Sequence, residues 1–214
     1  MVVTSAPSAK RSEVRTRGGV FPLPFQGDNA ALVTGVLRGH PGASEEFHRR
    51  FVRRIHGLLY RLLGPDPEIE DVLHDCFVRA LEALPKLSDP QALDAWVMGV
   101  TVRTARTRLQ RKARRWWLRL VPDESMPEPA APSEDPEVRE ALSALYRVLD
   151  GLPVDERMAL VLRNAEKMTV AEAAQAVGTS QSTLKRRLQR AEKAFAERAP
   201  REPALLGWLG GGAP

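Results

Sequence analysis

The chain has 214 residues, 43% hydrophobic and 28% charged, which suits a folded protein of one or two domains with a real core. Its net charge of +5 is compatible with a polyanionic partner, but 27 acids offset 32 bases, so the placement of the bases matters more than their sum. One cysteine, Cys76, excludes an internal disulfide framework and a Cys-rich metal site, and no stretch approaches the roughly 18 apolar residues of a membrane span.

Residues 1–27 are polar, basic and rich in Pro and Gly, and read as a flexible N-terminal arm. Their bases are followed by no apolar run, so the segment does not read as a secretory signal. With the lone cysteine this points to a cytoplasmic protein without membrane insertion. Asp28 to Arg38 is a short helical pattern. Ser44 to Leu63 carries Phe47, Phe51, Ile55, Leu58, Leu59 and Leu62 at helical spacing, with Ser44 as the expected cap and Gly64-Pro65 as the stop. Asp66 to Leu84 repeats the pattern with Ile69, Leu73, Cys76, Phe77 and Ala80. Asp89-Pro90 then opens a long helix to about Arg115, Asp as cap and Pro at the first helical position.

The Pro-rich acidic stretch at 121–135 buries nothing and reads as a flexible linker. Asp135-Pro136 starts a second unit with helical patterns at Glu137–Leu149, Val154–Asn164, Thr169–Val177 and Gln181–Ala199. The tail, 200–214, is expected to be loose. No strand-like alternation of useful length is found, so the expected fold is all-α: two helical domains, 28–120 and 136–199, joined by the linker.

The segment from Thr169 to Phe195 has the physical requirements of a helix-turn-helix. Thr169 and Glu172 make a capping box, Val170, Ala173, Ala174 and Val177 form a narrow face of small residues, and Gly178 permits a sharp turn. In the next helix, capped by Ser180, Leu184, Leu188, Ala191 and Phe195 share one face. Ser182, Lys185, Arg186 and Gln189 point the other way, where Lys and Arg suit phosphates or guanine and Gln suits adenine. With their neighbours Gln181, Thr183, Arg187 and Arg190 they are the candidate duplex-DNA residues.

The first unit holds a second basic run, "TVRTARTRLQRKARRWWLRL", with no acid in it. Arg103, Arg106, Arg111, Lys112, Arg114 and Arg115 are its candidate phosphate ligands, and Trp116 and Trp117 could stack on unpaired bases. The preceding helix turns Glu70, Asp71, His74, Asp75 and Glu82 outward, an acidic ridge suited to a protein partner. Cys76 falls on the apolar stripe and reads as a buried structural thiol. The four histidines are scattered, no Ser, Asp and His form a catalytic spacing, and no glycine loop fits phosphate. No catalytic residue, metal site or cofactor is expected, and the chain does not read as an enzyme.

Three stretches resemble the sigma-70 family of RNA polymerase sigma factors, of the small extracytoplasmic-function (ECF) type. "EIEDVLHDCFVRALEALPKL" is similar to a region 2 helix, "LDAWVMGVTVRTARTRLQRKARR" to the Trp-containing helix after it, and "LDGLPVDERMALVLRNAEKMTVAEAAQAVGTSQSTLKRRLQRA" to region 4. The resemblance implies that region 2 binds the β′ clamp of core RNA polymerase, with Asp71, His74 and Asp75 at the matching positions. It also implies that region 2 melts and reads the minus-ten element, through the loop Pro85 to Asp94 and the basic helix after Trp96. Region 4 would read the minus-thirty-five element of promoter DNA and touch the β flap, and an anti-sigma factor would regulate the protein. His74-Asp75 stands where the family usually has Gln-Glu, and Arg103 and Thr107 replace a usual Asn and Asp, so the promoter sequence does not carry over. The alternative is a free-standing helix-turn-helix regulator, which gives no reason for the acidic ridge or the basic Trp helix.

Overall fold

In the computed structural model, residues 25–118 and 135–209 are described, and among them every regular element is helical. The first unit contains α1 (Asn29–Leu37), α2 (Pro41–Leu63), α3 (Ile69–Ala83) and α4 (Leu93–Leu118). The second contains α5 (Pro136–Asp150), α6 (Val154–Asn164), α7 (Val170–Val177), α8 (Gln181–Arg198) and α9 (Pro203–Leu209). The expected arm up to residue 24 and the linker from 121 to 134 lie outside the described residues.

Local chemistry explains most boundaries. Asp28 caps α1 by accepting from the Ala31 amide, and Asp135 caps α5 by accepting from the Glu137 amide. At α2 the expected Ser44 cap is corrected: the helix begins three residues earlier, with Pro41 at its first position after His40. At 89–93 the Asp89 side chain accepts from the Gln91 amide, and a 3₁₀ turn, Pro90–Ala92, precedes α4.

The apolar stripe of α2 becomes the centre of the first unit. Phe47, Phe51, Ile55, Leu58, Leu59 and Leu62 are buried against α3 and α4, with Cys76, Ala80, Val97 and Ala105 across from them. Burial pushes the Cys76 thiol up to about 11, which fits a structural thiol. A polar knot ties α3 and α4 at their edge. The Asp66 side chain, 2% exposed, accepts from Arg108 at 2.9 Å and lies 3.9 Å from Lys112, and Glu68 takes the other arm of Arg108 at 2.6 Å. Burial alone would raise the Asp66 pKa, but the Glu68 amide and the Arg108 guanidinium outweigh it and hold the carboxyl below its ordinary value.

In the second unit α6 is buried on nearly every side, from Arg157 to Leu162, because α8, α7 and the first unit all surround it. The tail departs from expectation. It forms α9, seated on α5 with Leu205 buried and Arg147 bound to Glu202 at 2.7 Å.

Nothing in the periodicity indicates that the two units touch, yet they share one continuous buried cluster. Helix α4 lies on α6 and α7, and α2 also meets α6. The Tyr146 hydroxyl donates to the Tyr60 carbonyl at 2.9 Å, and the two rings meet edge to face. Gly64, at φ 77 and ψ −167, sits under the Tyr146 ring, where a Cβ would lie 2.8 Å from a ring carbon. That backbone conformation is essentially restricted to glycine, so the residue that ends α2 also makes the close approach possible.

Candidate nucleic-acid interface

The helix-turn-helix forms as its sequence dictates. Thr169 accepts from the Glu172 amide while Glu172 accepts from the Thr169 amide and hydroxyl, closing both ends of the capping box. Gly178 takes the left-handed conformation, φ 76 and ψ 46, with open space around it, so its role is the turn itself. Ser180 then caps α8 by accepting from the Thr183 amide at 3.2 Å.

Helix α8 divides by face. Leu184 and Ala191 are buried against the second unit, while Gln181, Ser182, Lys185, Arg186, Gln189 and Arg190 are exposed. Thr183 is half-buried and accepts from the Ser180 hydroxyl. Arg187 is different: it is half-buried, and its guanidinium binds Asp155 of α6 at 2.7 Å.

The basic run of α4 also divides. Arg103, Arg111 and Arg114 are exposed. Lys112 is half-buried near Asp66, and Arg108 is held in the polar knot. Arg106 donates from Nε to Asp155 at 2.7 Å, so one carboxylate carries a cation from each unit. The Arg115 side chain and both adjacent tryptophans, Trp116 and Trp117, lie outside the described side chains. Trp96 is half-buried against the core and lines a cleft of about 640 Å³ between the units. The cleft's first wall is Leu87 to Arg103, and its second runs from Glu166 to Ala176.

On α3, Asp71, His74 and Asp75 all face outward, beside exposed Val78 and Leu81. Asp71 and Asp75 share a shallow crevice between α3 and α4 with Arg79 and Arg111, so the acidic and basic ridges adjoin. Among the described residues no cluster of His, Cys, Asp and Glu is arranged to hold a metal ion, and no helix is long and apolar enough to cross a membrane.

Comparison with known proteins gives this arrangement its context. The family model "Sigma-70 region 2" matches residues 47–115, and "Sigma-70, region 4" matches residues 142–195. The RNA polymerase sigma-E factor of Streptomyces coelicolor is 34% identical over 137 residues, covering 61% of this chain and 72% of that protein. The chain belongs to the sigma-70 family, ECF type. The ECF RNA polymerase sigma factor SigM of Mycobacterium tuberculosis is 26% identical over 192 residues, 86% of this chain and 87% of that one. Among solved structures, CnrH in complex with the cytosolic domain of CnrY shares the fold, with a TM-score of 0.54 and 22% identity over 79% of this chain and 95% of that one. A second is RpoE of Bartonella quintana in complex with the anti-sigma factor NepR, with a TM-score of 0.53 and 17% identity over 72% of this chain and 94% of that one. Sigma factors are transcription initiation factors.

The sequence left the inter-unit roles of Arg61, Gly64, Tyr146, Asp155, Arg157 and Glu166 unseen. One of them carried a signal. Arg157 stands three residues after Val154 and four before Val161, a charge on an inward-facing stripe. Such a residue is buried only with partners.

Proposed function

We propose that this ECF sigma factor directs core RNA polymerase to promoters whose minus-thirty-five element is read by α8 and whose minus-ten element is melted and read by region 2. The observation that carries this is the two-faced α8, with Lys185, Arg186, Gln189 and Arg190 exposed on a helix whose other face is buried. A rigid helix presenting guanidinium, ammonium and amide donors is what the major groove can read. In this reading residues 28–120 act as region 2, 121–135 as the linker and 136–199 as region 4.

Region 2 would hold its strand through Arg103, Arg111 and Arg114, with Arg106, Lys112 and Arg115 joining them. Melting needs no chemical step, since capture of unstacked bases in a protein site drives it. Asp71, His74 and Asp75 on α3 form the docking ridge for the β′ clamp, and region 4 touches the β flap. The neighbouring complex of RpoE with the anti-sigma factor NepR supports an anti-sigma factor as the regulator.

Run-off transcription with core polymerase on genomic fragments tests the reading. Discrete transcripts that depend on both this protein and core enzyme are expected. Tight, sequence-specific binding by the protein alone with no transcripts would instead identify a free-standing regulator.

A further inference from the structure

Region 4 carries an apolar groove that the end of the chain fills only in part. Val138, Leu142 and Leu145 of α5, Phe195 of α8, and Leu205 and Trp208 of α9 surround an open space of about 240 Å³. Leu205 is buried, whereas Trp208 is 46% exposed and Leu206 beside it also faces water. Apolar side chains that line one groove and still meet solvent mark a surface that a partner can cover. On α8, Phe195 lies on the side of Leu184 and Ala191, away from Lys185, Arg186 and Gln189. A partner in the groove and DNA on α8 therefore do not compete.

Helix α9 is lightly anchored. Its seven residues are too few for an independent helix, so its order depends on α5. Leu205 enters a small cluster with Ala141, Ala144 and Val148 that is separate from the main core. The other anchor is the pair Arg147–Glu202 at 2.7 Å, whose arginine is largely exposed, and such pairs contribute little. The match to the region 4 model takes in Leu142, Leu145 and Phe195 and stops before α9. The groove thus belongs largely to the module, and α9 is an addition that lies across it.

We infer that α9 is a displaceable cover, and that the groove beneath it seats a short helix of core RNA polymerase bearing apolar side chains at three- and four-residue spacing. Helix α9 itself shows what fits, because it lowers a leucine between α5 and Phe195. The incoming helix takes the place of α9 and also covers the part of the α5 stripe that α9 leaves open. The inference rests on the proposed contact of region 4 with the polymerase and names the face that makes it. Because α9 must move first, the apparent affinity for the polymerase is reduced by the fraction of molecules whose groove is uncovered.

The full-length protein and intact core polymerase provide the test. A spin label on Gly207→Cys reports the mobility of α9; nothing lies within 4 Å of the added Cβ, and the buried Cys76 is shielded from labelling. Core polymerase should turn the line shape of an ordered helix into that of a free chain end. Removing residues 202–214 should tighten binding to core polymerase about tenfold, as when about nine molecules in ten start covered. Glu202→Gln and Arg147→Gln break the same pair with opposite changes in net charge, and each should tighten binding about twofold to threefold. They keep the test valid if the shortened chain does not fold. Leu142→Arg puts a cation into the groove and should cancel these gains. A label that stays ordered on the polymerase, or pair-breaking variants that bind no more tightly than the parent chain, would overturn the cover. Gains that survive Leu142→Arg would overturn the groove as the seat. A parent chain with no affinity for core polymerase would remove the polymerase contact itself, a result distinct from a cover that fails to move.

Discussion

Arg157, on the first turn of α6, places its guanidinium Nε 2.8 Å from the carbonyl oxygen of Leu62, one residue before the end of α2. The bond crosses from region 4 to region 2 and satisfies one of the carbonyls that a helix C-terminus leaves without an intrahelical donor. It commits a nearly fully buried cation to the interface, where its other partner is Asp150. Burying that charge is tolerable only because both groups meet it.

Replacing Arg157 with Met keeps much of the bulk and removes the donor. The Leu62 carbonyl and Asp150 both lose their partner, and a loss of about 2–3 kcal/mol is expected. Urea denaturation of the full chain checks this. An unchanged midpoint would show that the buried guanidinium contributes nothing.

Gly64→Ala is expected to destabilise the protein by about 1–3 kcal/mol from backbone strain alone, since its φ and ψ belong to a region essentially closed to other residues. The added methyl also meets Tyr146 at 2.8 Å, so the inter-unit contact should loosen as well. Gly39→Ala is a comparison with positive φ but open space around it, and it should cost less. Thermal melts of the two variants separate strain from collision.

On α8, Lys185→Ala and Arg186→Ala should each weaken minus-thirty-five duplex binding by about 1–3 kcal/mol where base contacts are lost. The log–log salt slope should fall by about 0.9 for each phosphate contact removed. Promoter-dependent transcription that survives both changes would remove α8 as the reading helix. Asp71→Asn with Asp75→Asn should leave the fold intact, because both side chains are exposed, and reduce co-purification with core polymerase.

Stability should fall at acid pH through Asp66. Its folded pKa is held below the ordinary value of 3.8, so its contribution is present above that value and lost as the pH falls through the lower folded one. Asp66→Asn should flatten this part of the pH–stability curve. It should also cost about 1–3 kcal/mol at neutral pH, because Arg108 then keeps only Glu68 as a counter-charge. A curve of the same shape in the variant would assign the acid limb elsewhere.

Cys76 should resist alkylation by iodoacetamide at neutral pH and react fully in urea. The folded thiol is 1% exposed and titrates at about 11, so almost no thiolate is present to attack.

Local sequence determined the helices and their faces. The capping box at Thr169 and Glu172, the Ser180 cap, the Gly178 turn and the six-residue stripe of α2 follow from interactions within a few residues, and helical periodicity alone sorted Lys185 and Arg186 from Leu184 and Ala191. Tertiary structure alone decided which bases are free. Arg103 and Arg106 stand three apart in one run, yet Arg106 is bound to a carboxylate 49 positions away, and Arg108 closes on Asp66 across 42. It also decided that the two units dock and that the tail folds back on α5. The reason is physical: a cap or a stripe is set by neighbours along the chain, whereas an ion pair or a shared core between distant segments depends on how whole surfaces meet, and periodicity carries no record of that.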